Sequence, residues 1–591
     1  MANGFGSFYV GNSGLRNSQN ALNTTANNLA NVNTRGYVRE QVRFSDLGYL
    51  TRNNPTSGTN IQQSGLGVTV SDVAHVRDIF LDKSYRQENG RQAFYSKMYD
   101  TTSYVEDILQ EMNGVEFKES VSSFWKAFQE YAKDPSNSTN QNLVLQKAEL
   151  FLSRSNTVYH DLQSYQSNIN LQIKQQVDRV NEIGDRIYTL NNEILKVEAG
   201  GVETAMTLRD ERDTLIDELS GYVKIEANED STGVMNIKVE GQAFVQDNRC
   251  NHIGLTKEDG TGFYTPYWPH ITSDQTYMPL FSDVALPSTL AQKVGSTQTT
   301  DISTSLNNDI GSIKALLVAR GSEYGTFDYM SDAKYPQVED CVVMETEAEI
   351  SYLFREVMTA MNDIFCPNTT YTANDGTVYK VLDTENCSVG ADGKLPPQEL
   401  YVREGYPRYT EQTIDGKTFY VYNEETDANN SSWYRLGNVS VNDELLSEVT
   451  KLPSFTQDGK VNYNIGNQIT NAWSNKGLYI NPNDTSWCNF EGYYDKIVSR
   501  LGTSGSVYSS STDTLTATVS SIDNQRNQII GVSSDEELTN MIKFQSAYNA
   551  ASRYITVISE MTELIVTGLK YSGGEGIWLQ HFLDLISDRV H

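Results

Sequence analysis

Cysteines, histidines and paired carboxylates are the raw material of most catalytic and metal sites, so their spacing comes first. The five cysteines, Cys250, Cys341, Cys366, Cys387 and Cys488, all lie in the middle of the chain, and none forms a Cys-x-x-Cys pair. Their odd number and spacing argue against a disulfide framework or a zinc site; free thiols packed as small apolar side chains are expected. The six histidines, at 75, 160, 252, 270, 581 and 591, are scattered, and no His-Glu-x-x-His occurs. They read as surface or packed side chains rather than ligands. "GTSGS" at 502–506 lacks the spacing of a nucleophile elbow. "NDGTVYK" and "ADGKLPPQE" lack the acidic spacing of a calcium loop. Asp210 and Asp213 sit in "TLRDERDTLIDELSGYV", where charges alternate in sign, which predicts a solvated, salt-bridged helix face. No cofactor, metal or catalytic set is expected, and the chain does not read as an enzyme.

The strongest patterns are at the two ends. Phe8, Leu15, Leu22 and Leu29 recur every seven residues, with Gly11, Ser18, Thr25 and Val32 three further on. This is a heptad seam with small or polar residues at alternate core sites. Asn12, Asn17, Asn20, Asn23, Asn27 and Asn31 lie outside it, although asparagine is a mediocre helix former that competes with the backbone for hydrogen bonds. Gly36 stops the helix. At the other end Met541, Phe544, Tyr548, Ala551, Ile555, Ile558, Thr562, Ile565 and Leu569 advance by steps of three and four, predicting a helix over 534–569. Ser533 and Ser534 precede Glu536 and Glu537 by three residues, a capping-box spacing. A lone amphipathic helix cannot bury its stripe, so the two seams are expected to pair with each other. Amide-rich outer faces would suit contact with identical neighbours, where like charges would repel.

Between the ends, helices are predicted over about 92–112, to 133, from Thr139 to Gly200, and through the charged segment with Leu208, Leu215 and Leu219 on one face. After Gly221 the period drops to two: Val223, Ile225, Val234, Ile237 and Val239 flank a Ser-Thr-Gly turn and read as a hairpin. Asp-Gly pairs at 259–260, 375–376, 392–393, 415–416 and 458–459 mark further strand turns. Helical pattern returns at 343–365 and 489–526. The expected fold is α+β and multidomain. A terminal coiled coil comprises 1–45 and 525–570, and a long helical rod comprises 46–240 and 480–524. A mixed segment spans 241–366, a β-rich outer insert 367–480, and an atypical tail 571–591.

The 591 residues carry 46 Lys and Arg against 76 Asp and Glu, a net charge of −30. That sign disfavours nucleic acid as a partner. No stretch approaches the roughly 18 apolar residues of a membrane span. The opening "MANGFGSFYVGNSGLRN" lacks the basic and apolar regions of a Sec signal, so the chain is expected to stay in the cytoplasm or leave by another route.

"SGLRNSQNALNTTANNLANVNTRGYVRE" and "DEELTNMIKFQSAYNAASRYITVISEMTELI" resemble the two ends of the flagellar rod, hook and hook-associated axial proteins. "SSFWKAFQEYAKDPSNSTNQNLVLQKAELFL", "NEIGDRIYTLNNEI", "LRDERDTLIDELSGYV" and "SIDNQRNQIIGVSSDEEL" resemble the hook-associated members that join hook to filament. The resemblance implies a structural subunit at that junction, assembled as a homo-oligomeric ring between the hook protein and a second junction protein. It implies export through the flagellar type III gate, with a chaperone covering Phe544, Tyr548, Ile555, Ile558 and Ile565 beforehand. Localisation would be extracellular, with a transient cytoplasmic stage. The terminal helices would be disordered in the monomer and order on assembly around the export channel, past whose neutral amides unfolded substrates slide. A hook or distal-rod protein is the alternative within the family; surface-glycan binding by the insert at 367–436 is a compatible further role. The tail "KYSGGEGIWLQHFLDLISDRVH", with Trp578 and Phe582, departs from the family pattern and could be an extra helix, a strain-specific tail or a cloning artefact.

Overall fold

The computed structural model describes residues 2–571 except 35, 54–60, 111–116, 201–203, 274–276, 288–289, 292–301, 427–429 and 483. The tail with Trp578 and Phe582 lies outside the described residues. The first helix, α1, spans Ala2–Ala30. Strands β1 (Glu40–Asp46), β2 (Tyr49–Asn53), β3 (Ile61–Gly65) and β4 (Val68–His75) follow. β1 and β4 pair antiparallel from Glu40↔His75, with a bulge at Arg43/Phe44, while β2 and β3 form a hairpin between them. The sequence pattern places most of this stretch in a helical rod, whereas it forms strands. Its strands are short, and the exposed or half-buried residues of β1 and β4 give little periodic signal.

The rod contains α2 (Ile79–Gln110), α3 (Phe117–Lys133), α4 (Ser138–Glu198) and α5 (Met206–Tyr222). Asn137 caps α4 by accepting from the Thr139 N–H, and one face of its 61 residues is buried throughout. At about 1.5 Å per residue that helix is roughly 90 Å long. Strands β5 (Ile225–Glu229), β6 (Met235–Val239) and β7 (Gln242–Val245) form an antiparallel sheet, and β8 (Gly254–Lys257) pairs with β9 (Tyr264–Tyr267). Of two further helices, α6 (Ser312–Arg320) is wholly buried and α7 (Val342–Phe365) is buried over its first turns and along one face thereafter.

The outer insert holds a four-stranded sheet in the order β10-β11-β14-β13 and a separate β12-β15 pair. β10 is Asn368–Thr372, β11 Val378–Leu382, β12 Tyr401–Arg403, β13 Tyr409–Ile414, β14 Lys417–Tyr422 and β15 Val439–Val441. Asp415 and Gly416 join β13 to β14, both at positive φ (50° and 78°), which is the backbone twist a tight hairpin turn needs. Asn362 of α7 anchors the insert: its Oδ1 accepts from the Leu400 and Tyr401 N–H groups, and its Nδ2 donates to the Tyr401 carbonyl.

After two helices, α8 (Asp443–Ser447) and α9 (Asn464–Ser474), the chain returns as α10 (Phe490–Ile530), antiparallel to α2, and ends in α11 (Ser534–Tyr571). One continuous apolar core runs from Phe94 of α2 to Leu501 of α10, so parts of the insert share their interior with the rod. Trp473 of α9 sits within it, stacked on Trp125 at 5.3 Å and edge-on to Phe124 and Phe490. Trp473→Ala removes a side chain that is 2% exposed. It is expected to destabilise the body by about 3–5 kcal/mol, read as a lower urea midpoint with both helix and aromatic signals moving.

Candidate functional site

Helices α1 and α11 pack against each other antiparallel. A Cβ at Gly11 would meet Ile555 at 2.8 Å, one at Gly14 would touch Ala551 at 3.6 Å, and Asn28 reaches Glu537 at the far end. The glycines let the backbones approach so closely that the middle of the seam has no room for leucine. Gly11, Ala21, Thr25 and Asn28 are therefore the buried positions, while Leu15, Leu22, Leu29 and Val32 splay to half-buried flanks. Phe8 is 44% exposed and contributes least. On α11, Met541, Phe544, Tyr548, Ala551, Ile555, Ile558 and Thr562 are half-buried, and Ile565 is 52% exposed. The side chain of Leu569 lies outside the described residues.

A second apolar stripe runs along α11 beside the first. Leu538, Ile542, Tyr554, Val557, Met561 and Leu564 are all exposed. Tyr554, Val557, Met561 and Leu564 repeat the three-four rhythm one residue ahead of Ile555, Ile558, Thr562 and Ile565. Two stripes that close merge into one in a periodicity argument; only the position of α1 divides them.

Several asparagines bind backbone instead of facing outward. The buried Asn28 donates to the Glu40 carbonyl (2.9 Å) and to Glu537 (3.2 Å), and its Oδ1 accepts from the Glu40 N–H and the Tyr37 hydroxyl. Asn17 donates to the Val68 carbonyl. These amides supply the hydrogen bonds that a short, half-exposed strand pair needs against a helix. Glu536 and Glu537, expected as capping-box partners, are drawn instead to Arg39: Nε meets Glu537 at 2.8 Å and the guanidinium forks onto Glu536 at 2.8 and 3.1 Å. The Arg39 N–H donates to the Ile530 carbonyl, which holds the α10–α11 corner against β1.

Beneath that corner the expectation of a solvated face on α5 fails. Asp210 and Asp213 are buried, 8% and 9% exposed. Arg77 pairs with Asp213 and Asp82, and Arg86 with Asp217 (2.7 Å) and Asp213 (3.5 Å). Arg526 of α10 reaches Asp217 (2.7 Å) and Asp82 (3.4 Å) and lies over the Tyr85 ring. The alternating charges do form solvated pairs on the opposite side, Arg186–Glu211 and Arg179–Glu218. Helices α2, α4 and α6 pack around α5, so one side of its charged surface faces protein.

Asp210 Oδ2 accepts from the Val38 N–H at 3.0 Å, and its Oδ1 lies 3.5 Å from His75 Nε2. Burial pushes Asp210 up to about 7, and burial with Arg77 and Arg209 nearby pulls His75 down to about 4. Between those values the folded pair holds one proton, whichever residue carries it. From pH 4 to 6.5 the unfolded pair also holds one, on the histidine, so the pair adds little slope. Above 6.5 the folded state holds the extra proton, and stability falls as pH rises through 7.

Two outcomes follow from this geometry. Asp210→Asn leaves a buried neutral histidine alone, so melting should rise with pH between 4.5 and 6.5 relative to the parent chain, by on the order of 1 kcal/mol per pH unit. It should lose the decline near pH 7; parallel pH–melting curves for the two proteins would contradict the shared proton. The 3.6 Å spacing between a Cβ at position 14 and that of Ala551 suits a disulfide. The double substitution Gly14→Cys, Ala551→Cys should therefore cross-link under mild oxidation, seen by peptide mapping, and Gly14→Cys with Leu564→Cys should not.

The model of the FlgK helical domain, "Flagellar hook-associated protein FlgK helical domain", matches residues 102–365. The "Flagella basal body rod protein" model matches 8–37, and the "Flagellar basal body rod FlgEFG protein C-terminal" model matches 529–567. Flagellar hook-associated protein 1 of Bacillus subtilis (strain 168) is 25% identical over 563 residues, 95% of this chain and 97% of that protein. The Salmonella typhimurium protein of the same name is 26% identical over 243 residues, 41% of this chain and 42% of its own length. In fold, the chain is similar to the flagellar hook junction protein FlgK from Burkholderia pseudomallei, with a TM-score of 0.50 and 10% identity, over 75% of this chain and 99% of that one.

Proposed function

Because the chain belongs to the flagellar hook-associated protein 1 family, whose members are structural components of the flagellum, we propose that it assembles as a ring at the hook tip and carries the filament. The observation that carries this reading is the double stripe on α11. One stripe is taken up by α1, with the Tyr554 ring bordering it beside Gly11, and the other, through Val557, Met561 and Leu564, is left open on the same helix. A helix pair with one satisfied face and one open apolar face is built to continue packing, and identical copies supply the same surface. The seam residues are predominantly half-buried, so the pair buries little apolar area by itself and gains its stability in the assembly.

In this reading the hook protein and a second junction protein lie below and above the ring. The subunit leaves through the flagellar type III gate, and an export chaperone takes the α11 stripe in a groove before export. The acidic, amide-rich chain would work outside the cell after a transient cytoplasmic stage. Val557→Asp tests the assembly role without touching the α1 seam, because Val557 is 47% exposed. In a strain lacking the native gene, the variant should be made with unchanged monomer melting, yet leave bare hooks and filament protein in the medium. Ile555→Asp, on the seam, should have the same effect. Full-length filaments and normal swimming with Val557→Asp would overturn the open-stripe assignment.

A further inference from the structure

The sequence reading found no metal-binding spacing, but folding brings together three ligand types from separate places. Asp185 on α4 and the Cys250-Asn251-His252 segment between β7 and β8 place a carboxylate oxygen, a thiol sulfur and an imidazole nitrogen all within 4.8 Å of one another. His252 Nε2 lies 2.8 Å from Asp185 Oδ1. The geometry points to a site for one borderline-soft divalent cation, zinc or an ion like it, held by Asp185, Cys250 and His252 with water as the fourth ligand.

The segment is held rigidly on α4. Asn181, one turn before Asp185, donates to the Ile253 carbonyl and accepts from the Ile253 N–H, both at 2.9 Å. Asn251, between the two ligands, donates from its side chain to the Ala243 carbonyl and from its backbone to the Phe244 carbonyl, each at 2.8 Å. Cys250 forms a backbone bridge with Val245. Gly184 permits the close approach: a Cβ there would come within 2.9 Å of the Cys250 sulfur and 2.4 Å of Phe244. Such clamping is what a preorganised ligand set needs.

The donor set selects the ion. Thiolate and imidazole favour zinc-like cations over calcium or magnesium, and one carboxylate with an open position suits tetrahedral zinc. Zinc-to-ligand distances of about 2.0–2.3 Å separate tetrahedral ligand atoms by roughly 3.2–3.7 Å. To reach that spacing the Asp185–His252 pair must open from 2.8 Å, a movement that these two exposed side chains are free to make. Binding displaces the thiol proton, so affinity strengthens with pH. The bound cation would staple the β7–β8 connection to the rod helix.

The test uses the reduced, chelator-stripped full-length protein titrated with cobalt(II) and then zinc. One equivalent of cobalt should give a thiolate-to-cobalt charge-transfer band that zinc bleaches, and saturating zinc should raise the melting temperature by several degrees. Cys250→Ser should lose the band, and His252→Ala and Asp185→Asn, both at exposed positions, should weaken binding at least about tenfold. Were Cys250→Ser to misfold by circular dichroism, the two exposed variants carry the test. No stoichiometric band in the folded parent chain, or a band undiminished in folded Cys250→Ser, would overturn the assignment.

Discussion

The structure turns on a buried knot of opposite charge beside α5. Arg77, Arg86 and Arg526 meet Asp82, Asp213 and Asp217 there, drawn from the end of the strand region, α2, α5 and α10. Each group is largely shielded from water, so any arrangement that separates one from its partners leaves a desolvated charge at a cost of about 3–5 kcal/mol. Such a knot contributes less to net stability than to uniqueness: few other registers of these segments give each of the six groups an opposite charge. It gives the outgoing and returning arms of the chain one way to meet.

That constraint bears on how the termini are presented. Just above the knot, Val38 and His75 rest on Asp210, and Arg39 ties β1 to both Glu536 and Glu537. The terminal helices therefore spring from a fixed, polar base while contacting each other through a thin, glycine-lined seam. A rigid root therefore carries a lightly packed pair, and the pair is separate from the core of the rod. The long apolar core from Phe94 to Leu501 stays independent of them.

Long-period patterns were legible in the amino acids. Helix α4, read from Thr139 to Gly200, spans Ser138–Glu198, and the helix read at 343–365 spans Val342–Phe365. Both have an apolar side that recurs over many turns, which leaves one solution. The hairpin around the Ser-Thr-Gly turn and the turn at Asp415-Gly416 were legible too, because positive φ demands specific residues. The strands over 40–75 were not: they are short and pair only with one another, and asparagines of α1 tie the pair to the helix at Glu40 and Val68.

By itself the sequence determined the period of each helix, the turns, the acidic balance and the amphipathic character of both ends. These depend on neighbours within a few residues, which a linear pattern records. Only the tertiary structure decided which of two adjacent stripes on α11 is covered, that Asp210 and Asp213 are enclosed instead of solvated, and that Asp185 stands beside Cys250 and His252. Burial and charge pairing depend on what arrives from far along the chain. A residue's type cannot report its distant neighbours until the fold has brought them close.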